Sequence, residues 1–211
     1  MNNYDDAMSK MALSLTSAQV AKNYIVEDFG IGEDLPFTFF FWQGGHLLMA
    51  AQMRRELMLL AVQDRLERCG HMAAKVSSSF PDVSAITFVA EAFETLDKSR
   101  LDGRELRAAF VEEKDLVREC LTITHCEQNR ANGQLELTLA SLPYEYKLGR
   151  TIDWGAPLGF VGGVDKVLKT SAVSRVLLGA LSVERDIITN DADIEVFFST
   201  LITDGFNIQE F

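Results

Sequence analysis

"LPFTFFFWQGGHLLMAAQM", residues 35–53, sets a run of large apolar side chains around a Gly-Gly pair. Gly44-Gly45 has the form of a two-residue turn that accepts positive φ at both positions, and such a turn pins the register of the strands it joins. It predicts a β-hairpin in which Trp42 faces Leu47, Phe41 faces Leu48 and Phe40 faces Met49. Side chains alternate along a strand. Phe37, Phe39 and Phe41 therefore fall on one face, and Phe40, Trp42, Leu47 and Met49 on the other. A sheet with one solvated face does not carry two apolar rows. The hairpin needs cover on both sides: a helix following it directly supplies one, and the terminal helices or a second subunit supply the other.

Outward from the hairpin, residues 5–28 read as an amphipathic helix with Met8, Met11, Leu15, Ala18 and Ile25 near one face, ended by the breakers of "FGIGEDLP". A second helix is expected from about Met53 to Ser79, with Leu59, Val62, Leu66, Cys69, Ala73 and Val76 at steps of three and four. "SAITFVAEAF" (84–93) is a strand. Residues 94–115 are charged and irregular, with a turn at Asp102-Gly103 and a short helix around Glu105–Glu113. "LVRECLTITHCE" (116–127) and "QLELTLASL" (134–142) form a second hairpin. Its expected inner row is Val117, Leu121, Ile123, Leu135, Leu137 and Leu139, opposite a solvated face. "PYEYKLG" adds a sixth strand, the Gly-rich 155–163 is a hinge or an anion-holding helix start, and two helices finish the chain, the last capped by Gly205. This order predicts an α+β fold: a mainly antiparallel sheet of five to six strands (two hairpins plus a connecting strand), segregated helices and two C-terminal helices. Residues 1–163 are assigned to the α+β domain with its N-terminal helix, and 164–211 to a C-terminal helical segment packed on the same domain.

The 211 residues, 47% hydrophobic and 24% charged, suit a globular chain with a substantial core. The acidic start "MNNYDDAMSK" lacks the basic beginning of an export signal, and no apolar run approaches the roughly 18–20 residues of a membrane span. Three cysteines do not make a disulfide framework, which points to a reducing, cytoplasmic setting. The net charge of −11 belongs to the ends: residues 1–34 hold six acids against two lysines, and 184–211 hold seven acids against Arg185. The middle is balanced. Nucleic-acid binders show a basic face, so no direct nucleic-acid binding is expected.

No motif fixes a chemistry. The Cys69-Gly70-His71 and Cys120…His125-Cys126 clusters resemble zinc ligands until spacing is applied. Cys120 and Cys126 stand about 20 Å apart on a strand, His125 points to the opposite face, and Cys69 and His71 point roughly 200° apart around a helix. Structural thiols, no metal and no cofactor are expected. Glu145-Tyr146-Lys147 has the acid-x-Lys form of a metal-dependent hydrolase or nuclease, with Asp82, Glu91 or Asp115 as the further carboxylate. Chance supplies such triplets, as at Glu112–Lys114. The Asp102-Gly103 turn fails as a calcium loop, because Lys98 and Ala109 occupy carboxylate positions. His46 has no nucleophile partner marked by motif. Arg54, Arg65, Arg68 and Lys75 fall in one helical sector of about 80°, a solvated flank or a docking strip for the acidic ends. The leading expectation is a non-enzymatic interaction or assembly protein that associates with itself or a protein partner through apolar surface at Phe37, Phe39, Phe41, Phe197 and Phe198. The alternatives are the hydrolase above and an acidic inhibitor of a basic or nucleic-acid-binding partner.

Overall fold

The computed structural model describes residues 3–80, 82–95, 117–129, 132–160, 171–184, 188 and 190–211. Four helices appear among them: α1 (Asn3–Phe29), α2 (Val62–Ser79), α3 (Ala172–Leu181) and α4 (Asp191–Thr203). The strands are β1 (Thr38–Gln43), β2 (His46–Met53), β3 (Val83–Thr95), β4 (Val117–Gln128), β5 (Leu135–Lys147), β6 (Thr151–Trp154), β7 (Leu158–Phe160) and β8 (Phe206–Glu210). They form an eight-stranded antiparallel sheet in the order β6-β5-β4-β3-β1-β2-β8, with β7 also paired to β5. The mixed α+β class and the two helices near the C-terminus agree with the sequence reading. The expected turn at Asp102-Gly103, the helix near Glu105, Asp115 and the 163/164 boundary lie outside the described residues.

Five to six strands is a correction: there are eight among the described residues. "PYEYK" makes no strand of its own but continues β5 through Pro143. The Pro143 carbonyl accepts from Gly155 N–H at 2.8 Å, so the missing N–H of the proline also faces outward, into the gap between β6, which ends opposite Tyr144, and β7, which begins opposite Ser141. β6 and β7 come from residues 151–160, too short and too mixed to show alternation. β8 follows Gly205, whose φ of 98° lets the chain turn out of α4 and back onto the sheet.

The first hairpin starts in the expected register, with Trp42 opposite Leu47, but a bulge then shifts it. Phe41 stands opposite Met49 and Phe40 opposite Ala50, so Met49 moves to the Phe39/Phe41 face. Gly44 alone of the two turn glycines has positive φ, at 58°, the type II′ pattern. The second hairpin also departs from expectation. Ile123 pairs with Ala140 and Cys126 with Leu137, so Leu121 and Ile123 face one layer while Leu137 faces the other. The expected single solvated face is absent there. The second helix starts later than the periodicity suggested, because β2 keeps pairing through Met53 and a short 3-10 turn (Arg55–Leu59) intervenes.

Both rows of the opening hairpin are covered from within the chain. Phe39, Phe41, Met49 and Met53 pack with Cys69 and Met72 of α2, Leu177 of α3 and Leu201 of α4. Phe40 and Trp42 pack with Met11 and Ala18 of α1. Each such burial contributes about 1.5–3 kcal/mol. No second subunit is needed to complete this core. The buried side of α1 is Ala7, Lys10, Met11, Ser14, Ala18, Lys22 and Val26, while Met8 is exposed.

Candidate interface

The residues singled out from sequence are not brought together. Asp82 precedes β3 and accepts from Gln43 Nε2 at 2.8 Å. Glu145 lies one position beyond the Tyr144–Glu119–Phe93 row, about 40 Å farther along the strands at roughly 3.3 Å per residue. Lys147 pairs with Asp153 at 2.6 Å on the exposed β5–β6 edge. Glu91 faces α1, on the opposite side of the sheet from Glu145, and both its oxygens are engaged. Oε1 holds Lys22 Nζ at 2.5 Å and Tyr144 Oη at 2.7 Å, and Oε2 accepts from Leu35 N–H at 2.9 Å. Among the described residues, no group of three or more His, Cys, Asp or Glu is placed to hold a metal ion. The three thiols are free and buried, and burial pushes each up to about 12.

The five aromatic residues expected at an interface turn inward. Phe39 and Phe41 are buried core, Phe37 packs edge-on to Phe88 under the Arg65 guanidinium, and Phe197 and Phe198 pack against Phe80. The acidic C-terminal segment does reach the basic strip, through Lys75–Asp204 at 3.8 Å and Arg54 Nε to Asn207 Oδ1 at 3.4 Å. Those contacts are exposed, so strand pairing and the burial of Phe197, Leu201 and Phe206 do most of the holding.

Beneath α1 lie two polar clusters. Trp42 Nε1 donates to Thr87 Oγ1 at 3.0 Å, Thr87 Oγ1 contacts His125 Nδ1 at 2.9 Å, and His125 Nε2 lies 3.3 Å from Glu127 Oε2. Because an indole can only donate, the direction that satisfies every group runs Trp42 to Thr87 to His125 to Glu127. Lys10 closes the chain on Glu127 Oε1 at 2.6 Å and also bonds Asp6. In the second cluster Lys22 binds Glu91 and the Glu33 carbonyl, with the Tyr144 and Tyr146 rings 5.6 Å away. Burial and the Glu91 charge push the Tyr144 phenol up. These clusters seat α1 on the sheet, and Glu91 and Tyr144 also line a cavity of about 240 Å³ with Leu35, Phe37 and Arg65.

The open feature is elsewhere. α1 packs chiefly over β3, β4 and β6 and leaves the β2-β8 margin of that face less covered. A groove of about 710 Å³ results, with Phe40, Ala50 and Gln52 on its floor, Ala18 and Ala21 on the helix wall, and Phe211 at the far rim. Val20 and Phe211, at its two sides, are 50% and 65% exposed. β8 bounds the groove and ends the sheet. Sequence reasoning missed this site because its edge strand, Phe206–Glu210, mixes amides and a carboxylate with two apolar residues; the signal available was a short alternation after Gly205.

Comparison of the chain with protein-family models, with curated proteins and with solved structures finds no match. No helix among the described residues is long and apolar enough to cross a membrane.

Proposed function

We propose that this is a non-enzymatic interaction or assembly protein that self-associates through the groove between α1 and β8. The observation that carries the reading is the juxtaposition of exposed Val20 and Phe211 around a groove floored by Phe40 and Ala50, directly beside β8, which no other described strand pairs on its far side. Apolar patches of this kind on a folded domain mark interaction surfaces. Asp82, Glu91, Glu145 and Lys147 are not gathered at one place, so among the described residues the groove is the better-supported feature, and Asp6 and Asp204 of the acidic ends pair with Lys10 and Lys75 of the same chain.

Sedimentation velocity over a concentration series tests it. The wild-type chain is expected to associate, and Val20→Glu and Phe211→Glu to shift it toward monomer. Both positions are exposed enough to accept a charge without unfolding. Association unchanged in both variants counts against the groove.

A further inference from the structure

We infer that the association is a two-fold dimer in which β8 pairs antiparallel with β8 of a second copy, centred on Ile208. This rests on the self-association reading and names its partner and geometry. Arg54 N–H donates to the Gly205 carbonyl at 2.9 Å and Phe211 N–H donates to the Leu48 carbonyl at 3.2 Å. In an antiparallel ladder the hydrogen-bonding direction alternates residue by residue. Gly205, Asn207, Gln209 and Phe211 therefore bond inward to β2, and Phe206, Ile208 and Glu210 turn their N–H and C=O groups off the edge of the sheet.

A two-fold axis at Ile208 satisfies those groups completely. It sets Ile208 opposite itself and Phe206 opposite Glu210 of the second copy, so outward groups meet outward groups throughout. Centring the axis on Asn207 or Gln209 would pair only two of the three outward residues, leaving Glu210 or Phe206 without a partner in the strand. The side chains agree with this register. Asn207 falls opposite Gln209 of the second copy, in the narrow pairs where Cα atoms approach to about 4.5 Å and two carboxamides can exchange hydrogen bonds. Glu210, the strand's one charge, meets Phe206 rather than itself. Phe211 of the second copy arrives opposite Gly205 and beside Arg54, whose guanidinium is held by Asn207. An aromatic ring beside a guanidinium is a favourable contact. The two grooves then run together across the axis.

The other edge of the sheet shows what a protected edge looks like. It is split into β6 and β7, of four and three residues, separated by the Gly155 connection, with the Lys147–Asp153 ion pair on it. β8 carries no lysine, proline or bulge, the devices that keep edges apart.

Cysteine cross-linking tests the register. In Ile208→Cys the two introduced thiols face each other at a Cα separation of about 5.5 Å, within disulfide reach. In Glu210→Cys they are roughly 14 Å apart. The native thiols, buried and pushed up to about 12, do not compete. We expect Ile208→Cys to give a covalent dimer on mild oxidation and Glu210→Cys to give none. Ile208→Pro removes an N–H that β2 does not use, and Ile208→Lys sets like charges face to face without altering the backbone; both should sediment as monomers with native circular dichroism. A wild-type dimer that neither cross-links at 208 nor responds to these variants, yet dissociates in Val20→Glu, overturns the strand pairing and leaves the groove reading standing. A wild-type chain monomeric at every concentration overturns both.

Discussion

Lys10 Nζ lies 2.6 Å from Glu127 Oε1, across 117 residues of chain, with the lysine 2% and the glutamate 8% exposed. Two charges withdrawn from water hold each other only while both are present. Removing one leaves the other desolvated, which typically costs 3–5 kcal/mol. Lys10→Met should therefore lower unfolding stability by about 3–5 kcal/mol in urea titration. The double variant Lys10→Met/Glu127→Gln, which leaves no unpaired charge, should recover much of the loss. A Lys10→Met protein as stable as wild type would show that Glu127 is adequately held by His125 alone.

The same pair gives the fold an acid limb. Burial raises the Glu127 carboxyl, but hydrogen bonds from His125 and Lys10, with the Lys10 charge, outweigh it and hold the group below its ordinary value. A depressed carboxylate contributes stability above its unfolded value of 4.5, and that contribution is lost as pH falls through the folded value. Lys22 works at the other end. Burial lowers it, while the Glu91 charge and hydrogen bond overcome burial and raise it above 10.5. Its contribution is complete below that value and fades as pH rises through the folded one. Glu127→Gln should flatten the acid side of a stability–pH curve, and Lys22→Met the alkaline side.

Much of the hairpin was legible in the sequence because alternation and a Gly-Gly turn are local signals. The bulge that moved Met49 was not, since it depends on how β1 and β2 settle together in the sheet. Lys10 and Lys22 entered the sequence reading only as charges in the count; their buried roles depend on Glu127 and Glu91, far along the chain and unmarked by any spacing. β8 was hidden for a similar reason. Five residues with two amides show little strand propensity, and what makes them a strand is the free edge of β2. Phe39 and Phe41 make a related point: an aromatic run announces burial, but whether the cover comes from the same chain or another depends on tertiary packing.

The thiols should be silent in the native protein. Cys69, Cys120 and Cys126 are buried, and burial raises each to about 12. The thiolate is the reactive form, so a colourimetric thiol reagent at pH 8 should register almost nothing until denaturant is added, then three thiols per chain. Rapid native reaction at any of them would mean that its helix or strand opens locally.

Phe40 and Phe41 lie side by side on β1 with opposite faces, and each is covered by helices of its own chain. Phe40 packs toward α1 and is 3% exposed; Phe41 packs toward α2 and is fully buried. Truncating a buried phenylalanine costs about 3–5 kcal/mol, the lost transfer energy plus the cavity left behind. Phe41→Ala should fall at the upper end of that range, because its layer is closed by three helices and has little room to collapse. Phe40→Ala should fall lower, because Phe40 also floors the groove and the void can open to solvent. Neither change touches the outward groups of β8. Urea titration should show the two losses in that order, with β8 cross-linking through Ile208→Cys undiminished under native conditions. A Phe41→Ala protein that stays stable but dissociates would place the second subunit on the face that α2, α3 and α4 occupy here.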